Sequence, residues 1–268
     1  MIPLFRNQFP SSKAELAEAL NDALGRYVKK ESGPLVTVSA RVFPYLDEIA
    51  VNLDGAELAS SFPVVSKLIG ETKSAIEAGL LNLGGRDFKV RGIPFNLQMA
   101  ANSVVMHSGR DESDQAVLVP QSVRSGHVAI AVSQQDLEKA IGELAREQGA
   151  KHGIAVEDVR IALRARGVRS ISADIHLRAR KFLLRTEMDV SGQLEIDDAF
   201  DAKISNLKCR ATGTIGSVAC GVLQPYLDKI EGHSVSLMSF PFTGMKLKDV
   251  RVTVADTVAV TADFAGEA

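Results

Sequence analysis

The sequence predicts an α+β protein, a long antiparallel sheet packed on amphipathic helices and built from two similar halves. Three observations point there. Segments of the second half alternate apolar with polar residues, Ser-initiated stretches continue at helical spacing, and one order of elements returns later in the chain.

Ser12 and Glu15 have the spacing of a capping box, and Leu16, Leu20, Ala23, Leu24 and Tyr27 follow at helical intervals, so a helix is expected from about 12 to 30. Gly33-Pro34 stops it. Val36, Val38, Ala40 and Val42 alternate with mostly polar neighbours as a strand does, and so do Ile49, Val51 and Leu53. Val65, Leu68, Ile69, Thr72, Ile76 and Leu80 mark a second helix, ended by Gly84-Gly85 and followed by strands around 87–91, 95–106 and 115–120.

From Ser133 the row SQQDLEKAIGELA repeats the pattern of SKAELAEALNDAL, an offset of 121 residues. Ile171, Ala173 and Ile175 stand against Ile49, Val51 and Leu53 at 122, and Pro241-Phe242 against Pro94-Phe95 at 147. The growing offset requires an insertion, placed at expected strands 181–191, 193–198 and 200–211. A helix carrying Ile215, Val218, Val222, Tyr226 and Ile230 follows. The halves are read as 1–127 and 128–268, together one elongated domain.

With 268 residues, 46% hydrophobic and 24% charged, the chain can bury a sizeable core, and a net charge of −2 names no partner. There is no Trp and only 5% aromatic residues, so Ala, Val, Leu and Ile carry the apolar content, which suits sheet surfaces and alkyl-chain linings. No run approaches the ~18 apolar residues of a spanning helix. The start, Met1 to Arg6, lacks the apolar stretch of a signal peptide, so the chain as written is expected in the cytoplasm, or exported or periplasmic if a signal was removed. Cys209 and Cys220 are too few for a disulfide framework or structural zinc; they read as two buried thiols or as one disulfide.

Ile161, Leu163 and Ala165 share one strand face, as do Ile171, Ala173, Ile175, Leu177 and Ala179, while arginines take the other. Antiparallel sheets tolerate one wet face, so a long antiparallel meander is expected with helices on its apolar side. Few large aromatics fill the space between, which leaves room for an elongated apolar cavity.

The stretch from about 128 to 264 resembles the LmeA-like bacterial phospholipid-binding family, itself similar to the tubular lipid-binding (TULIP) superfamily. The features that carry the resemblance are VAIAVSQQDLEKAI, the β-rich run ending MDVSGQLEIDD, the helix GVLQPYLDKI and the closing hairpin MKLKDVRVTVADTVAVTADF. Residues 84–127 do not share the pattern. The resemblance implies a curved antiparallel sheet wrapped on long helices, acyl chains in an apolar groove, and no cofactor.

The expected function is therefore non-catalytic binding of a lipid, fatty acyl or other long apolar ligand, and the alternative is a structural or interaction protein with a filled core. The inward phase of the sheet and helices gives Leu163, Ile175, Leu177, Leu184, Met188, Val222, Leu237 and Phe242 as candidate lining; as ordinary core residues they would look the same. Between Arg160 and Arg185 eight Lys or Arg residues face one acidic residue, Asp174. Arg160, Arg164, Arg166, Arg178 and Arg180 either dock on an anionic membrane surface or form a solvated face whose charges discourage aggregation. Nucleic acid is not an expected partner, because no aromatic residues interleave the basic ones.

Catalytic signals are thin. The five His residues lack close ligand spacing, so no metal is expected. HSGRDESD at 107–114 gathers His, Ser and Asp without a G-x-S-x-G elbow, and reads as a polar loop. A hydrolase there would need Ser108 or Ser113 beside a His oriented by a carboxylate.

Overall fold

A computed structural model describes residues 1–59, 67–151, 153–181, 184–239 and 245–266, without the side chains of 181, 184, 213–215, 218, 219, 222 and 239. The chain is α+β. In order it forms β1 (Ile2–Pro3), α1 (Lys13–Gly25), β2 (Val28–Lys29), β3 (Val36–Ser39), β4 (Tyr45–Asn52), β5 (Glu57–Leu58), β6 (Leu68–Val90), β7 (Ile93–Asp111), β8 (Ala116–Ser122) and β9 (Ser125–Ser133). There follow α2 (Gln134–Lys151), β10 (Ala155–Gly167), β11 (Ser170–Lys181), β12 (Leu184–Ile196), β13 (Asp201–Ala211), α3 (Gly213–Ile230), β14 (Ser234–Ser236), a 3-10 turn at Leu237–Ser239, β15 (Met245–Val254) and β16 (Thr257–Gly266). Two compact units result: Met1–Ile130 with Ser239–Asp249 and Thr261–Ala268, and Ala131–Met238 with Val250–Val260.

In the first unit Ser12 caps α1 by accepting the Glu15 N–H, and the Glu15 carboxylate returns a bond to Ser11 rather than to Ser12. The helix ends at Gly25, short of the expected residue 30, and Val28 and Lys29 pair with β5 instead. Leu16, Ala19, Leu20 and Ala23 bury one face of α1 in a core shared with Leu4, Val36, Ile49, Ile76 and Leu118. The sheet order is β15-β16-β9-β7-β6-β4-β3.

Two further expectations fail in this unit. The helix expected over 65–80 is the first part of strand β6 where the structure describes it, from Leu68 onward. Leu68, Thr72, Ile76 and Leu80 are four apart, a spacing that satisfies a helix face and, with every even position, a strand face as well. Ala78 decides between them: it is buried beside Ile76, and both pair across to β7. The first 127 residues thus hold one described helix where the later half holds two. The sheet is also not wholly antiparallel, since β4 and β5 run parallel to β6.

In the second unit the expected meander is present: β10, β11, β12, β13 and β14 pair in sequence order, each antiparallel to the next. Strands expected at 181–191 and 193–198 are one strand, β12, with an irregularity between Ser191 and Gln193 opposite β13. On β13 Asn206 takes a positive φ of 57° there, and the Glu231 carboxylate accepts the N–H groups of Asn206 and Leu207 at 2.9 and 2.7 Å. Cys209 and Cys220 are bonded to each other rather than free thiols, and the bond ties α3 to β13. Their type and number alone left both states open. No helix among the described residues is long and apolar enough to cross a membrane.

Candidate functional site: an apolar floor between two helices

Alternation along the meander stacks aliphatic side chains in rows across the strands. Val159, Leu177 and Met188 form one row, Ile161, Ile175 and Val190 the next, then Leu163, Ala173 and Gly192, then Ala165, Ile171 and Leu194. Of the expected lining, Leu163, Ile175, Leu177 and Met188 share this face. Met188 is buried at 6% exposure, whereas Leu163, Ile175 and Leu177 are only half-buried. Leu184 and Val222 lie in β12 and α3 with side chains outside the described residues, and Phe242 lies outside them altogether. Leu237 is off the floor, in the turn after β14, with its N–H on the Phe200 carbonyl.

Two helices wall the floor. Ser133 starts α2 by accepting the Asp136 N–H, and α2 then runs antiparallel to β10 on a face of small residues. A Cβ on Gly142 would sit 3.7 Å from Val159 Cβ, one on Gly149 would meet the Ile154 carbonyl, and the Glu138 carboxylate accepts the Ile161 N–H at 2.8 Å. On α3, which runs antiparallel to β13, Cys220 bonds Cys209. Gly216 there approaches so closely that a Cβ would be 2.6 Å from Ala211 Cβ and 2.8 Å from Thr186 Oγ1.

The helices also carry apolar side chains about a quarter turn from these packing faces, at ~100° per residue: Leu137, Ile141 and Leu144 on α2, Tyr226 on α3. Leu144 and Tyr226 are each 57% exposed. The hand of the structure fixes where they point. An L-residue whose side chain faces the viewer, in a strand running upward, directs its N–H to the right, and the Ile161 N–H leaves the sheet edge toward Glu138. Seen from the helix side with β10 running upward, β10 is therefore the right-hand strand. From the N-terminus of each helix the second stripe lies counterclockwise of the packing face. Because α2 and α3 are antiparallel, both stripes turn inward over β11. Sequence reasoning missed these wall residues, although the i, i+4, i+7 spacing of Leu137, Ile141 and Leu144 was available to find them.

The opposite face is a lattice of opposite charges. Arg160 pairs with Asp158, Arg164 with Asp174 at 2.6 Å, Arg178 with Glu187, and Arg180 and Arg185 with Glu157, while Arg166 donates to Ser172. Such exposed pairs contribute ~0–1 kcal/mol each.

The first unit has a small apolar pocket, lined among others by Leu81, Met99, Ala101, Val104 and Phe264, with a volume of about 20 Å³, and wider clefts of mixed polarity beside Ile69 and Arg110 and beside Arg6 and Glu15. The small pocket has space for about one water and not for a chain. Residues 107–111 complete β7 rather than a loop; His107 Nδ1 meets Thr72 Oγ1 at 3.1 Å, and Ser108 Oγ donates to the Lys73 carbonyl at 3.5 Å. Asp111 accepts the N–H groups of Ser113 and Gln115, so these residues build a turn. Among the described residues no three His, Cys, Asp or Glu side chains are grouped to hold a metal ion. Comparison with protein-family models, curated proteins and solved structures finds no match to the chain.

Proposed function

We propose that the second unit binds a long apolar ligand, a lipid acyl chain in particular, on the floor of β10 to β13 between α2 and α3, without catalysis. One observation supports this above the others: Ile161, Leu163, Ile171, Ile175, Leu177 and Val190 are contiguous aliphatics on one sheet face across β10, β11 and β12, and none is fully buried. Protein interiors close-pack, so a floor of this composition that keeps part of its surface accessible is suited to a further apolar body. Each methylene removed from water contributes ~0.8 kcal/mol. A long chain thereby exceeds the ~4–15 kcal/mol that association costs, where a short one does not.

A second reading, an interaction protein with a filled core, has the buried aliphatic cluster around Leu16, Ile49, Ile76 and Leu118 in its favour, and for the first unit we assign a scaffold role. The arginine face we assign to solvent, since most of its guanidinium groups already have a carboxylate. The Cys209–Cys220 bond fits an oxidising compartment, so we favour an exported location over a cytoplasmic one. Native mass spectrometry of the purified protein, with organic extraction, tests the reading. A bound lipid at one per chain is expected; an apo mass that persists after incubation with phospholipid vesicles would sink it.

A further inference from the structure

The two sheets end in β15 and β3 and in β10 and β14, and three of these strands are guarded. Asn21 bonds the outward backbone groups at the start of β3, and the Glu138 carboxylate takes the outward Ile161 N–H of β10. β15 carries Lys246 and Lys248, and its Val252 N–H goes to the Val168 carbonyl. Even the part of β13 that extends past β14 is capped, by Glu231 on the N–H groups of Asn206 and Leu207. Charges and covering groups of this kind keep a sheet edge from pairing with another strand.

β14 has no such guard. The Leu237 N–H donates to the Phe200 carbonyl and the Ile204 N–H to that of His233, which places hydrogen-bonded pairs on either side of Ala202 and Val235. Such pairs alternate along an antiparallel ladder, so Ala202 with Val235 is one as well, and the N–H and C=O groups of Ser234 and Ser236 point away from β13. Among the described residues neither serine has a backbone partner on that side, and all of β14 is exposed. The strand is Ser-Val-Ser, uncharged and the same in either direction about Val235, so an antiparallel copy of itself is its complement.

From this open, self-complementary edge we infer that the chain self-associates through β14, about a two-fold axis at Val235, joining two five-stranded sheets edge to edge. Ser234 and the partner's Ser236 exchange both N–H···O=C bonds, and the two-fold repeats them. Val235, 58% exposed, meets the partner's Val235 at the axis. On the other face Lys203, Ser234, the partner's Ser236 and the partner's Asp201 fall in one row with opposite charges at its ends. The exposed Met238 comes opposite the partner's Gly232, around which there is open space. A contact this short belongs to the weak, reversible class, and it does not depend on what the floor binds.

Sedimentation equilibrium of the whole chain tests the inference. The average mass should climb from one chain toward two as the protein is concentrated to about 100 μM. Ser236→Pro removes only an outward N–H, and should weaken association about tenfold or more with the thermal midpoint unchanged. Should the proline perturb the strand, Val235→Lys is expected to weaken association by a similar factor, through like charges at the axis. Val235→Cys should link two chains under mild oxidation, since its Cα lies ~4.5 Å from its copy, whereas Lys203→Cys, about 14 Å from its copy, should not. A chain that stays monomeric at that concentration overturns the inference, as does a dimer that both Ser236→Pro and Val235→Lys leave intact. Ser234 and Ser236 amides that exchange as slowly in dilute monomer as those of β11 overturn it too, because another segment then covers this edge.

Discussion

Asn21 fastens the start of β3 to α1 with both sides of its amide. Nδ2 donates to the carbonyls of Ala17 and Val36, and Oδ1 accepts the N–H groups of Leu35 and Val36, all at 2.7–2.9 Å. Asn21→Ala strands two backbone donors, and a loss of ~2–3 kcal/mol is expected in urea unfolding; a change under ~0.5 kcal/mol would refute this clamp. Its role was not legible in the sequence, because a polar residue inside a helical pattern looks solvent-facing. Thr186 is the reverse case. Its hydroxyl is buried with no hydrogen-bond partner among the described residues, so Thr186→Val should stabilise the protein by ~1 kcal/mol in the same assay. At Glu15 the N–H and hydroxyl of Ser11 hold the carboxyl below its ordinary value of 4.5. A depressed folded pKa means that its contribution is present above the unfolded value and is lost as pH falls through the folded one. In an NMR titration Glu15 should have a depressed midpoint, and Ser11→Ala, which removes only the hydroxyl, should move it part of the way back.

α3 is held by its surroundings more than by its own sequence. Gly213, Gly216, Gly221 and Pro225 all disfavour a helix, and Thr212 at its N-cap makes no side-chain capping bond. The disulfide closes a short loop, worth ~2–3 kcal/mol on the chain-entropy view. Reduction, or paired Cys209→Ser and Cys220→Ser changes, should raise amide exchange across 213–230 and leave β10 and β11 protected; unchanged exchange in α3 would mean that packing alone holds it. Two glycines test the packing with opposite signs. Gly216→Ala should destabilise, since its Cβ meets Ala211 and Thr186, whereas Gly221→Ala, with open space around it, should stabilise by ~0.5–1 kcal/mol. Elements were legible where one periodicity was unambiguous: the alternation of β10 and β11, the cap of α1, the start of α2. They were not where Leu68 to Leu80 fitted both periods, nor where the parallel pairing of β4 with β6 depended on contacts distant in sequence.

For the whole molecule, a floor face could be read from sequence but not its openness. Leu163, Ile175, Leu177 and Met188 were expected on one face, yet how far each is covered depends on the small-residue face of α2 and on a disulfide that spacing left undecided. If the proposed ligand binds only the folded second unit, saturating it to ~100 times Kd should stabilise that unit by about 2.7 kcal/mol. The central claim is the location of the ligand, and photo-crosslinking with a diazirine fatty acid followed by peptide mapping tests it most directly. Adducts on peptides spanning 159–177, 137–144 and 226, displaced by excess palmitate, are the predicted result. Adducts concentrated on the first unit, or spread over both and indifferent to competitor, would contradict it.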